Sequence, residues 1–468
     1  MPFARILRSS ALMGGAQVVV LAAGFARAKA IALILGASGV GLIGILSAFS
    51  GNIASLAGWG LGTAGVRLIA GAPDEVRTAK IAAVRRMGWA LSGLGLLLAL
   101  LTFWPVGAWT FDSSRFALEM AIVSLAVPCV IASTAWSAVL QASGNIASLA
   151  KVQVAGALAG LLVGLPAIYL WGTVGVAGSV FLAAAVPAFV LWRAARRECP
   201  AGAAQSVDPG DLRQLVKLGG ALMLVGWLAQ LASYGTRLII VRHAGLDAAG
   251  YYQAAFAIAG ALPGFVFAAM GTDFFPRVAE AKDEAEAADI ADRQIQAGLL
   301  LALPFLVGTL TLDRLCVGLL YAEGFEQALP LLPWMVWGVF CRLLAWPQGY
   351  CLLARGAART VVMVEIVGNL LAILLPLGLV PAFGTKGAAQ AFFLSYLLYA
   401  LVMLVTSRAR AGRWVSVGTV MAFAASAGVL ALAQISVRQA EGPYWGLLPT
   451  ALVAAGCLWT YRRALRQP

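Results

Sequence analysis

Apolar runs of eighteen or more residues follow one another along almost the whole chain, separated by short polar connections. A helix needs about 20 such residues to cross a hydrocarbon core of about 30 Å. The runs are continuous rather than alternating, which excludes a membrane β-barrel. Counting them predicts about fourteen transmembrane helices, near 10–35, 40–66, 82–104, 117–141, 147–170, 174–193, 215–242, 250–276, 295–320, 328–353, 360–380, 387–407, 415–436 and 444–462. The predicted fold class is an all-α polytopic membrane protein. Arg5 and Arg8 precede the first run and Ala26-Arg27-Ala28 mimics a cleavage site, but the run is long for a signal peptide and an equivalent helix recurs near residue 219. The first run is therefore read as a retained span.

The pattern repeats. Residues from Leu140 to Phe181 align without a gap on Leu352 to Phe393, at one offset (356 − 144 = 212). Gly144 matches Gly356, Gly156 matches Gly368, and Gly172-Thr173-x-Gly175-x-Ala177 matches Gly384-Thr385-x-Gly387-x-Ala389. A weaker match sets Gly36-x-x-x-x-Gly41 against Gly245-x-x-x-x-Gly250. A six-helix unit is repeated, and an even number of spans makes the copies parallel, related by a pseudo-two-fold along the membrane normal. The expected organisation is a six-helix lobe over 1–200, a linker over 201–211, a second six-helix lobe over 212–409 and two additional helices over 410–468. Gly58-x-Gly60-x-Gly62 and Gly156-x-x-x-Gly160 are expected to allow close helix packing.

Composition sharpens this. The chain is 61% hydrophobic and 11% charged, with a formal net charge of +13. About 24 of the 33 Lys and Arg fall on alternate connections, among them Arg77, Lys80, Arg85, Arg193, Arg277, Arg355 and Arg410. By the positive-inside rule these connections and both termini are cytoplasmic. The basic balance is then a topology signal and does not call for nucleic acid. Six cysteines contain no C-x-x-C pair, so neither structural disulfides nor a metal site is expected. His243 is expected at an interface.

The informative residues are the polar ones inside the spans. Arg27 and Lys29 lie in the first span with no carboxylate near them. A cation at such depth costs at least about 2.5–3.5 kcal/mol and usually faces a bundle interior or a wet cavity. The two are about 200° apart on an ideal helix. Arg27 shares its face with Ala23, Gly24 and Ala30 and is assigned to the cavity; Lys29 is able to snorkel toward the outer end. The equivalent helix of the second lobe carries Gln230, Ser233, Tyr234 and Arg237 along one stripe, and Asn52 is a further polar residue of the expected cavity. Guanidinium groups suit phosphate because their planar donors engage its oxygens in pairs. Arg27 and Arg237 are therefore expected to clamp a diphosphate, with Arg342 as a further cavity cation. Glu365 and Asn369 share a helix face and, with Asp273, are candidates for ion coupling, although Glu365 has possible structural partners in Arg342 and Arg359. Glu119, Asp313 and Arg314 are expected at the outer interface. No Walker phosphate loop, metal cluster or catalytic constellation is present in the sequence, so no cofactor and no enzymatic activity are expected.

The stretches ILRSSALMGGAQVV, ARAKAIALILGASGVGLIGILSAFS and GLGTAGVRLIA, with Phe275-Pro276-Arg277, resemble the O-antigen-type polysaccharide flippases of the polysaccharide transport branch of the MOP superfamily. The resemblance spans most of 1–409. It implies a monomer in the bacterial inner membrane that moves an undecaprenyl-diphosphate-linked oligosaccharide, an O-antigen, lipopolysaccharide or exopolysaccharide repeat unit, to the periplasmic leaflet. It implies membrane lipids, a glycan polymerase and chain-length machinery as partners, and alternating access driven by an ion gradient. Such flippases usually have about twelve helices, so the count of fourteen departs toward the lipid II flippase branch. Two readings stay open beside it: a MATE-like drug or cation antiporter, which wants a buried carboxylate in the first lobe, and a membrane glycan polymerase or ligase, which wants larger outer loops.

Overall fold

The computed structural model describes residues 2–112, 114–198, 208–411, 415–439 and 447–465. They form fourteen α-helices and one 3-10 turn, with no strand among the described residues. In chain order these are α1 (Pro2–Ala57), α2 (Leu61–Ala70), α3 (Asp74–Phe111), α4 (Ala117–Ser124), α5 (Ala126–Ala142), α6 (Ile146–Leu162) and α7 (Gly164–Glu198). They continue with α8 (Pro209–Ala279), α9 (Glu284–Thr311), α10 (Asp313–Leu320), α11 (Leu332–Ala354), α12 (Ala358–Ala411), α13 (Val417–Gln439) and α14 (Leu447–Leu465).

Helices of 56 and 71 residues are far too long for one crossing. These two, and likewise α7 and α12, are each two helices joined at a glycine with non-helical torsions: Gly36 (φ 68°) in α1, Gly172 (φ 55°) in α7, Gly245 (φ 87°) in α8 and Gly384 (φ 59°) in α12. Only glycine takes up this conformation without a Cβ clash. At Gly172 and Gly384 the chain folds back sharply, since Gly175 lies on the Ala167 carbonyl and Gly387 on the Leu379 carbonyl, leaving no room for a methyl group. Divided at these four glycines, with α2 continuing α1, α5 continuing α4, α7 before Gly172 continuing α6, and α10 continuing α9, the described residues give fourteen helical segments, and nine of the helices are long and apolar enough to cross a membrane. This is the polytopic all-α fold expected from the hydrophobic pattern.

The repeat is reproduced in the backbone. The aligned turn glycines Gly144 and Gly356 adopt φ 70° and 78°. Gly156 packs against Pro187, and the aligned Gly368 packs against Tyr399 at the same offset.

The chain divides into two compact units, Met1–Gly250 and Tyr251–Pro468. The first half of α8, the opening helix of the second repeat, belongs to the first unit. It runs antiparallel to the second half of α1. Gly41 seats on the Leu246 carbonyl and Gly250 on the Ala37 carbonyl; further along, Phe49 meets Tyr234 at 6.2 Å, and Trp59 Nε1 donates to the Val216 carbonyl at 3.0 Å. In the second unit, α13 and α14 are fixed to α9 and α11. Ser416 N donates to Asp292, Gln296 to Thr419, Trp337 Nε1 to Gln434, and Thr311 and Thr450 share a bond at 2.7 Å.

The Gly58–Gly60 segment, expected as a close-packing stripe, is instead an interruption between α1 and α2. Trp59 and Gly60 both have positive φ (49° and 61°). A tryptophan there is strained by about 1–2 kcal/mol, and its bond to Val216 holds it.

Candidate functional site

Arg27 lies on the first half of α1, on the side where Ala23 and Ile31 are buried. The small residues beside it let neighbouring helices approach. A Cβ at Gly160 of α6 would stand 2.7 Å from Arg27 Nη1 and 3.5 Å from the Cβ of Ala183 on α7. The absence of that Cβ makes the seat of the guanidinium. Arg27 is half-buried, and no carboxylate or hydrogen-bond acceptor engages it among the described residues. A desolvated cation without a counter-ion is costly. Lys29, two residues on, is engaged by the surrounding protein.

Arg237 is 7% exposed, and its Nη1 donates to the Ser233 carbonyl at 2.8 Å and to Ser233 Oγ at 2.6 Å. These contacts hold the guanidinium along its own helix, so each expected clamp arginine has a distinct setting: Arg27 on α6 and α7, Arg237 on the Ser233 turn of α8. The stripe around Arg237 faces α1. Gly51 admits the Gln230 amide at 2.7 Å from its ideal Cβ position. Asn52 is 7% exposed, with its Nδ2 unpartnered among the described residues. Tyr234 is equally buried, its hydroxyl toward Thr110 but outside hydrogen-bond geometry. Buried polar atoms are normally satisfied, so these mark a place where water or a ligand group completes the bonding.

Near the Gly245 kink, a cavity of about 600 Å³ is lined by Asp112, Arg115, Arg242 and Asp247. Its two cations are balanced by two carboxylates, so it lacks the positive character of the Arg27 seat. Glu119, expected at an interface, is instead 4% exposed and accepts the Thr173 hydroxyl at 2.6 Å. The cause is the close approach of α4 to the turn of α7 at Gly172.

In the second unit Glu365 does not pair with an arginine. Its Oε1 accepts the Tyr399 hydroxyl at 2.6 Å, and Asn369 Nδ2 donates to the Glu365 carbonyl at 2.8 Å. Arg342 instead lies over aromatic rings, 4.8 Å from the Phe267 centroid and 5.6 Å from that of Tyr396. Tyr396 and Tyr399 are in edge contact at 6.5 Å, so one aromatic path joins Arg342 to the Glu365 pair. The Asp273 side chain lies outside the described residues. Among those described, no group of three or more His, Cys, Asp or Glu is placed to hold a metal ion.

Sequence reasoning gave Gly160 only a close-packing role and did not find Tyr399. The signal for Tyr399 was present, because Gly368 and residue 399 repeat the Gly156 and Pro187 pair at the same offset. A tyrosine standing where the first copy has proline, near a carboxylate standing where the first copy has glutamine, marks a polar pair peculiar to the second copy.

The sequence profile of the family described as "Polysaccharide biosynthesis protein" matches residues 6–282, more than half of the chain. The chain belongs to that family. This member of the polysaccharide biosynthesis protein family is 24% identical over 415 residues to the lipid III flippase of Escherichia coli (strain K12), covering 84% of this chain and 96% of that protein. The lipid III flippase of Shigella flexneri matches equally. In fold, the family member is similar to the lipid II flippase MurJ in an inward closed conformation (TM-score 0.77, 14% identity, 98% of this chain and 99% of that one). It is also similar to an inward-facing multidrug resistance MATE family transporter of the MOP superfamily (TM-score 0.57, 15% identity, 85% and 94%). These likenesses show the fold: an all-α, multi-pass membrane protein.

Proposed function

We propose that this protein is a flippase for a polyprenyl-diphosphate-linked oligosaccharide in the bacterial inner membrane, working by alternating access with both termini in the cytoplasm. The observation that carries the reading is the Arg27 seat, a half-buried guanidinium in a membrane helix that no carboxylate among the described residues neutralises. A diphosphate supplies the missing charge, and its oxygens match the paired donors of guanidinium. The lipid II and lipid III flippases to which the chain is similar support a lipid-linked substrate. The repeat unit of an O-antigen or exopolysaccharide is the glycan we assign.

Arg237 is the second phosphate contact in this reading, released from Ser233 when substrate arrives. Arg342, resting on Phe267 and Tyr396, is a further candidate cation in this reading. Glu365, held by Tyr399, is the group that links transport to an ion gradient. The antiporter reading is not favoured, because a cation-exporting site wants a carboxylate where this chain has Arg27, and Glu119 lies instead against Thr173 at the Gly172 turn.

The test is binding of a polyprenyl diphosphate to the purified protein. Arg27→Ala is expected to weaken it at least tenfold, and Arg237→Ala to weaken it less because Ser233 already holds that side chain. Equal binding by wild type and Arg27→Ala removes the reading.

A further inference from the structure

The first unit carries a second polar feature that the cations do not explain. Between α2, α5 and α7 lies a groove of about 790 Å³. This is within the range of small-ligand sites, about 300–1,000 Å³. Its polar walls are Thr63 and Arg67 of α2 and Ser133, Thr134, Ser137 and Gln141 of α5. Ser133, Ser137 and Gln141 follow at intervals of four, which places them in one stripe along α5. Thr63 and Arg67 do the same on α2, so two polar stripes line one space.

Serine and threonine in an apolar helix usually bond the carbonyl one turn back. Ser124, Thr236 and Ser395 do so here, and within the groove Thr134 is bound to the Val130 carbonyl at 2.9 Å. Ser133 Oγ is buried and has no hydrogen-bond partner among the described residues. Among the described residues, no hydrogen bond engages the side chains of Ser137, Gln141, Thr63 or Arg67. The wall thus presents hydroxyl, amide and guanidinium groups with their bonding capacity unused. Alongside apolar residues such as Val66, Val130 and Pro187, the groove therefore offers partners to a polyol, since each of its hydroxyls both donates and accepts.

The groove also adjoins the Arg27 seat. Ala183 of α7 lines the groove, and it is the same residue that closes on Gly160 beside the guanidinium. A ligand with its anionic group at Arg27 therefore has a hydrogen-bonding surface next to it, within one compact unit.

We propose that this groove holds the sugar hydroxyls of the translocated lipid-linked glycan, with Ser133, Ser137 and Gln141 as the residues that distinguish a glycosylated lipid diphosphate from a bare one. The inference rests on the flippase reading above and adds a sugar subsite to it.

The experiment compares two probes on the purified full-length protein: a polyprenyl-diphosphate oligosaccharide and the same polyprenyl diphosphate without sugar. The Ser133→Val, Ser137→Val double variant is expected to bind the glycosylated probe about tenfold more weakly, from the loss of two hydrogen bonds, and the bare probe as wild type does. Gln141→Ala, at an exposed position that packing does not constrain, is expected to weaken the glycosylated probe several-fold and serves if the double variant does not fold. Unchanged binding of the glycosylated probe, or equal weakening of both probes, overturns the subsite while leaving the flippase reading in place. Wild-type protein that binds neither probe overturns the flippase reading and the subsite with it.

Discussion

Tyr399 donates its phenolic hydrogen to Glu365 Oε1 across 2.6 Å, thirty-four residues along the same kinked helix α12. A membrane carboxylate held by a neutral donor keeps its charge available, whereas one paired with arginine is already neutralised. The Arg342 guanidinium, resting on Phe267 and Tyr396, is near enough to act on Tyr399 electrostatically without bonding the carboxylate. This arrangement can respond to an incoming cation or proton.

If so, Glu365→Gln will abolish the dependence of transport on an imposed sodium or proton gradient in proteoliposomes, while passive substrate binding is retained. Tyr399→Phe, which removes only the donor, will keep gradient dependence. Gradient dependence that survives in Glu365→Gln excludes this carboxylate as the coupling group.

The Gly160 seat gives a second prediction. A methyl group there would stand 2.7 Å from Arg27 Nη1, so Gly160→Ala displaces the guanidinium without touching its charge. Transport should fall about tenfold while thermal stability changes little, because the flexible end of an arginine yields easily. Combined with Arg27→Ala, the glycine change should add nothing further. Additive losses in the double variant would show that the two residues act separately.

Packing of α8 on α1 is tested at Gly41. It has the Leu246 carbonyl and the Gly250 backbone against it, with no space for a side chain. Gly41→Val is expected to cost about 1–3 kcal/mol by overpacking, visible as a drop of several degrees in the melting temperature in detergent. Gly93→Ala, where no atom lies within 4 Å of the added carbon, is the matching control and should be neutral or slightly stabilising.

Asp313 gives a pH-dependent prediction. It lies just past the end of α9, and burial pushes its carboxyl above the usual carboxylate value, opposed in part by the Arg314 backbone N–H and charge. The folded protein therefore favours the protonated form. Stability tied to this group is present below the ordinary carboxylate pKa of about 3.9 and is lost as pH rises through the raised one. Asp313→Asn should melt higher than wild type at neutral pH, and the gap should close toward pH 4. An equal gap at both values would rule out the carboxyl as its source.

Much of the fold was legible because the bilayer imposes its own length on each apolar run, and the repeat was legible because its glycines have fixed conformational duties. Gly36, Gly172, Gly245 and Gly384 all sit at the joints where the pattern put them. The Trp59 interruption was not legible: glycines on both sides read equally well as close packing, and the left-handed turn depends on a bond to Val216, 157 residues away. The cations were legible as buried charges because no carboxylate is near them in sequence. Their environments were not, since Arg27 is placed by Gly160 and Arg237 by the Ser233 one turn behind it. The pairing of Glu365 with Tyr399 leaves no local trace in either segment and shows only in the comparison of the two copies, where Gln153 and Pro187 stand at the aligned positions.

The most direct measurement is transbilayer movement of a fluorescent polyprenyl-diphosphate oligosaccharide in liposomes containing only the purified protein, followed by quenching from the outside. Wild type should expose the glycan on the opposite leaflet well above protein-free liposomes, and Arg27→Ala, at equal protein content, should lose at least tenfold of that rate. Movement no faster than in protein-free liposomes, or an Arg27→Ala rate equal to wild type, would contradict the account.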